Sequence, residues 1–244
     1  MLITMSFYFN SFIGTKEKAA LFLEILEKQD LLPDKVGIYE PLKVEFSKEV
    51  AIELWSKAEQ GKDRITGGLM GKKKNPSFSF IMEWNKGQKY IRPNWVTLYV
   101  ADNAFNKSQQ KFIELFLQIN DKFNGLYSYI STEKAIDRQF VPGGLDTRLP
   151  GVFWCNYFSK TYVDFFGEKK LLNGPWFKSE EYSNAIVTFL TKSPADSDSD
   201  ENLENELKRY LGENSFGDRK YYLDNLREIQ VKNVPKFELI EIKI

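Results

Sequence analysis

The run Thr66-Gly67-Gly68-Leu69-Met70-Gly71-Lys72-Lys73-Lys74 combines glycine backbone with lysine charge, the materials of a phosphate cradle. Its spacing departs from that chemistry: Gly67 to Gly71 is one residue short, no Ser or Thr follows Lys72, and the next residues alternate as a strand. The run reads as a solvated hairpin loop with a basic tip. Lysines beside Phe78, Phe80 and Trp84 could also suit a single-stranded nucleic acid. The same alternation assigns those rings to a core face, so nucleic acid is not expected as a partner. Asp196, Asp198 and Asp200 resemble the opening of a calcium loop, but Glu201 stands where glycine is needed and Leu207 where the bidentate Glu belongs. That stretch reads as a flexible, solvated connection. Asp146, Arg148, Asp164 and Glu168 could supply paired carboxylates for acid and base work, yet nothing fixes their separation. The plainer reading is a charged rim around buried aromatics, with Arg148 paired to a carboxylate. Cys155 lies between Trp154 and Asn156 in an apolar run, which favours a buried, inert thiol.

The composition narrows the chemistry further. There is no histidine and one cysteine, which removes Ser-His-Asp and Cys-His catalysis in their usual forms, and zinc sites built from His or several Cys. Carboxylate, Lys, Tyr or Ser chemistry remains open, as does an oxygen-ligated cation. No metal or other cofactor is expected. Thirty-four basic residues balance thirty-four acidic ones, so no overall field recruits nucleic acid or an anionic membrane. The opening MLITMSFYFN lacks a basic region ahead of a sustained apolar run, and no apolar stretch approaches the roughly 18 to 20 residues that cross a bilayer. A cytoplasmic protein is the expectation.

The elements that must position these residues follow from periodicity. Ile3, Met5, Phe7 and Phe9 alternate along a strand, and Ala19, Phe22, Leu23 and Leu26 then recur at helical spacing over about 16 to 29. Ser47 can cap a second helix whose buried stripe is Val50, Ala51, Leu54, Trp55 and Ala58, with Gly61 as its stop. Residues 77 to 84 and 95 to 101 read as paired antiparallel strands. The longest helix spans about 107 to 123, along Phe112, Leu115, Phe116, Ile119 and Phe123, and ends at Asn124-Gly125. A strand at 126 to 130 and a short helix near 132 to 139 follow. Next come a strand or extended piece at 151 to 156, a helix at 160 to 166 capped by Ser159, a strand at 184 to 190, a helix at 201 to 211 and a terminal strand through Ile240, Ile242 and Ile244. The fold class is α+β: an antiparallel sheet or sheets with helices packed on one face, in one compact domain over 1–244. Residues 1–92 and 93–244 are candidate related halves.

Seven aromatic residues crowd between Phe153 and Phe166, behind Leu149-Pro150-Gly151. Trp154, Phe158, Tyr162 and Phe166 recur every four residues and Gly167 closes the run, a spacing that favours core over docking surface. With DKVGIYEPLK at 34 to 43 and GGLMGKKKNPSFSFIMEW at 67 to 84, the segment LPGVFWCNYFSKTYVDFFGEKKL at 149 to 171 resembles the type VI immunity family of bacterial polymorphic-toxin systems. The positions that carry the resemblance are Leu149, Pro150, Gly151, Trp154, Asn156, Tyr157, Phe158, Tyr162, Val163, Phe166 and Gly167. It implies a cytoplasmic α+β protein that binds and neutralises a cognate toxin or effector, is not an enzyme and has no catalytic residues to carry over. Partner binding then falls to charged rims and variable loops, with Lys72, Lys73, Asp146, Arg148 and Glu168 as candidates. Two alternatives stay open: a carboxylate- or Mg²⁺-dependent hydrolase using Asp146, Asp164 and Glu168, and a scaffold or regulatory subunit of a phage-defence or secretion system.

Overall fold

A computed structural model describes residues 1–61, 64–87, 92–198, 201–225, 228 and 230–238. The chain is α+β and divides into two compact units, 1–126 with 238–244, and 127–237. The division does not coincide with a break near residue 92, because the strand at 94–101 pairs with strands earlier in the first unit.

The first unit opens with β1 (Leu2–Phe9), whose alternation takes Ile3, Met5, Phe7 and Phe9 fully out of solvent. Helix α1 (Lys16–Lys28) is capped by Thr15, whose Oγ1 accepts the Lys18 N–H at 3.2 Å. Two short strands, β2 (Lys35–Gly37) and β3 (Val44–Glu45), precede α2 (Lys48–Ser56), which Ser47 caps as the sequence suggests. Then follow β4 (Glu59–Gln60), β5 (Arg64–Lys73), β6 (Phe78–Gly87), β7 (Asn94–Ala101), α3 (Asp102–Lys107) and α4 (Gln109–Phe123). The strands lie in the order β1-β7-β6-β5-β2-β3, with β4 on β5, antiparallel throughout.

Register builds the core of this unit. Phe7 stands opposite Val96 and Met5 opposite Leu98, while Phe80 faces Leu98 and Met82 faces Val96, so one apolar face runs across three strands. Helices α1 and α4 cover it, with Phe22 5.2 Å from Phe80 and Phe116 5.2 Å from Phe7, ring centre to ring centre. The buried indoles find acceptors: Trp55 Nε1 donates to the Ile13 carbonyl at 2.7 Å and Trp84 Nε1 to the Trp55 carbonyl at 2.6 Å.

Two expectations are corrected here. Residues 66–73 are not a solvated loop but part of β5, paired residue for residue with β6 from Arg64 opposite Gly87 to Lys73 opposite Phe78. Glycine hides the strand because the partner strand fills the missing side-chain space. A Cβ at Gly67 would overlap the Trp84 indole, and one at Gly71 would overlap the Phe80 ring. The reversal of chain direction falls instead at 74–77. Helix α2 also ends at Ser56, before Ala58 and Gly61, and leaves Val50 exposed; only Ala51 and Trp55 are fully buried along it.

The second unit is entered along β8 (Gly125–Thr132), after Asn124 ends α4 in the left-handed region at φ +53°. It continues through α5 (Glu133–Gln139), β9 (Cys155–Phe158), α6 (Lys160–Phe166), α7 (Glu168–Leu172), β10 (Lys178–Tyr182) and β11 (Ala185–Phe189). Helices α8 (Pro194–Ser197) and α9 (Glu201–Leu211), a 3-10 turn at Glu213–Ser215 and α10 (Arg219–Asp224) follow. The sheet order is β8-β9-β11-β10, again antiparallel. Strand pairing begins at Cys155, so 151–154 runs extended without a ladder, and β10 is an edge strand that periodicity did not show. The acidic stretch is not a plain flexible connection: Ser193 and Asp196 form a reciprocal capping box on α8, and Asp198 accepts the Thr132 hydroxyl. Asp200 and the strand through Ile240, Ile242 and Ile244 lie outside the described residues. Among the described residues no helix is long and apolar enough to cross a membrane.

Candidate functional site

The aromatic segment is a packing element. Trp154, Phe158, Tyr162 and Phe166 are all buried, the first two on or beside β9 and the last two on α6. A buried stretch without a ladder must still satisfy its backbone; the Leu190 N–H donates to the Trp154 carbonyl at 2.7 Å, and three side chains serve the residues before it. Gln139 Oε1 accepts the Val152 N–H at 3.1 Å while its Nε2 donates to the Val152 carbonyl at 2.8 Å. Asn156 Oδ1 accepts the Phe153 N–H at 3.0 Å, and its Nδ2 donates to the Phe153 carbonyl at 2.8 Å. The Tyr127 hydroxyl donates to the Gly151 carbonyl at 3.1 Å. Gly151 leaves room for the Gln139 amide, since a Cβ there would stand 2.6 Å from Gln139 Oε1. Asn156 thus holds the strand entry rather than forming a site. Cys155 is fully buried, and burial pushes its thiol well above the usual range.

The sequence-derived candidates fall on both units. Lys72 is exposed and Lys73 half-buried on β5 of the first unit. In that unit Lys74, Lys107 and Lys111 line a hollow of about 460 Å³ that has no carboxylate in its lining. In the second unit Asp146 is exposed, and its charge, after burial, helps push the Tyr162 phenol upward. Glu168 is exposed at the start of α7 and shares a hollow of about 400 Å³ with Asp164 and Glu181, where Lys160 pairs with Asp164. Asp146 does not line that hollow, and among the described residues no group of three or more potential metal ligands forms. Arg148 is corrected from rim to scaffold. It is buried, donating from Nε to the Pro142 carbonyl at 3.2 Å and from Nη2 to the Gly143 carbonyl at 3.3 Å. The buried guanidinium thereby ties two carbonyls of a partly exposed turn to the body of the unit.

The most concentrated charge in the second unit was not singled out in the sequence. Arg138 ends α5, and α9 presents Glu204 on the same stripe as Leu207 and Leu211, with Lys208 one turn further on. Arg138 Nη2 donates to Glu204 Oε1 at 2.6 Å and its Nε to Oε2 at 3.2 Å, a two-pronged pair around a carboxylate only 2% exposed. Nη1 donates to the Asp198 carbonyl at 3.3 Å, and Glu201 stands 3.6 Å from Nε. Burial pushes the Glu204 carboxyl up against the opposing pull of Arg138, while Glu204 pushes the guanidinium up. These residues form one wall of a cleft of about 560 Å³, completed by the segment 213–220 and Lys232. Glu204 itself was the available signal: a carboxylate on the apolar stripe of a helix demands a cation opposite it.

No family model matches the chain, and no curated protein matches it in sequence. Among solved structures, a T6SS protein from Pseudomonas aeruginosa is similar, with a TM-score of 0.55 and 14% identity over 86% of this chain and 72% of that chain. A chain of the crystal structure of the toxic C-terminal tip of CdiA from Pseudomonas aeruginosa in complex with immune protein aligns at a TM-score of 0.32 and 14% identity, over 57% of this chain and 90% of that chain. The first likeness is one of fold: the α+β arrangement described above recurs in the T6SS protein across most of both chains.

Proposed function

We propose that the chain is an immunity protein that binds a cognate bacterial toxin or effector and neutralises it by protein-protein interaction in the cytoplasm. The observation that carries the reading is the fold likeness to a T6SS protein over 86% of the chain, joined to the order of buried residues from Leu149 to Gly167 that resembles the type VI immunity family. Those residues build the scaffold of the second unit, so recognition belongs to exposed charges: Asp146 and Glu168 on that unit and Lys72, with half-buried Lys73 next to it in sequence, on the first. Neutralisation by occlusion asks for no catalytic group. It asks for a rigid surface with charged edges, and the clamps of Gln139, Asn156 and Arg148 hold such a surface in place.

Co-expression with a toxin, should one be encoded next to its gene, tests the reading. Cells carrying both genes are expected to grow, and charge reversal at Lys72, Asp146 or Glu168 is expected to weaken protection without lowering the melting temperature. Continued killing in the presence of abundant folded protein would overturn the assignment.

A further inference from the structure

Among the described residues the cleft of the second unit is lined by five cations, four of which form no ion pair, and by four carboxylates, three of which are already engaged. Glu204 and Glu201 face Arg138, and Asp218 Oδ1 accepts the Tyr221 N–H at 2.8 Å, capping α10. Glu213 is the lining carboxylate for which no such bond is found among the described residues. Against it stand Lys208, Arg219, Lys220 and Lys232, none of which forms an ion pair with a described residue. They come from separate places in the chain: α9, the first turn of α10, and the extended segment after it. Lys208 is half-buried beside the Arg138–Glu204 pair and forms no close ion pair of its own, with Glu204, Asp218 and Glu213 acting on it only at longer range, so its burial is costly.

We propose that this cleft is an oxyanion-binding site, with Lys208 as its anchor and Arg219, Lys220 and Lys232 around its mouth, taking a carboxylate or phosphate group. The Arg138–Glu204 pair is its fixed wall: both prongs of the guanidinium are engaged, so Arg138 orients the α9 face and leaves the incoming anion to the lysines. The volume of about 560 Å³ admits a phosphate ester or an acidic side chain with its neighbours. Burial lowers the basicity of Lys208 against the opposing pull of Glu204, Asp218 and Glu213. This inference stands apart from toxin neutralisation, since it concerns one cleft in the second unit and no candidate residue of the partner surface.

Calorimetric titration of the full chain with sodium phosphate and with a tetraglutamate peptide, each against sodium chloride of equal ionic strength, tests the proposal. Saturable binding of at least one probe is expected, weakened about tenfold or more by Lys208→Met and unchanged by Lys160→Met, an exposed lysine paired to Asp164. Phosphate alone binding assigns the site to a phosphorylated small molecule, and peptide alone to an acidic protein segment. Lysine acylation of the wild-type chain read by mass spectrometry provides a second measurement should Lys208→Met not fold, because a bound probe must protect Lys208. No saturable binding of either probe, wild-type affinity in Lys208→Met, or unprotected Lys208 under saturating probe would each overturn the site.

Discussion

Gly67→Ala distinguishes a paired strand from a solvated loop by the sign of its effect. Gly67 lies opposite Trp84 in the β5–β6 register, and a Cβ there would meet the indole and stand 2.6 Å from the Lys57 carbonyl oxygen. The indole cannot retreat freely. Trp84 is 1% exposed, its Nε1 is held by the Trp55 carbonyl at 2.6 Å, and the Phe12 ring packs edge-on at 5.2 Å. Overpacking of this kind costs about 1–3 kcal/mol, and loosening the indole hydrogen bond adds about 1 kcal/mol. The entropy that alanine removes from the unfolded chain returns only about 0.4–1 kcal/mol. The net loss is therefore about 1–3.5 kcal/mol, which for a chain of this length lowers the melting temperature by about 2–14 °C. Thermal and urea denaturation of Gly67→Ala, Trp84→Phe and the double variant provide the assay. The cycle should show coupling, because the smaller phenyl ring makes room for the new methyl group. A melting temperature unchanged or raised in Gly67→Ala, as a loop glycine would give, or strict additivity in the cycle, would refute the reasoning.

Arg148→Met should lose about 2–3 kcal/mol of stability in urea denaturation, since the Pro142 and Gly143 carbonyls lose their donor, while folded protein keeps its partner affinity. Lost binding at unchanged stability would return Arg148 to the partner surface. Thr132→Val should cost about 1–2 kcal/mol, because the Thr132 hydroxyl both caps α5 at the Ala135 N–H and donates to Asp198; an unchanged denaturation midpoint would contradict that double role. Native Cys155 should resist thiol reagents until the chain unfolds. With its folded pKa raised above the ordinary 9.0, the unfolded chain loses this proton first, so stability falls with pH above about 9 at roughly 1.4 kcal/mol per unit, and Cys155→Ala should flatten that slope. Rapid labelling of the native chain would show the thiol to be accessible.

Legibility followed whether a residue announced its neighbours. Strand β1 and helix α4 were readable because their apolar residues, from Ile3 to Phe9 and from Phe112 to Phe123, each repeat at a single period. Strand β5 was not, because Gly67 and Gly71 have no side chain to alternate and the rings that fill their space come from β6. Strand β10 was hidden by its polar sequence, Lys-Ser-Glu-Glu-Tyr, which an edge strand tolerates. The capping signature of Ser193 and Asp196 was present in the sequence, but the acidic composition around it pointed to a linker. Candidate residues fared by chemistry: exposed Asp146 and Glu168 remain available to a partner, whereas the long side chain of Arg148 turns inward to carbonyls that sequence could not locate. The cleft escaped notice because Arg138, Lys208 and Lys232 are separated by long stretches of chain and meet only after α5 and α9 pack.

Toxin occlusion is the proposed role of the chain. Mixing the purified chain with a purified candidate toxin, and following both complex formation by size exclusion with light scattering and residual toxin activity, tests it most directly. The account predicts a stable complex and activity that falls in proportion to added protein until the toxin is fully bound. Separate elution of the two proteins with toxin activity undiminished would contradict it.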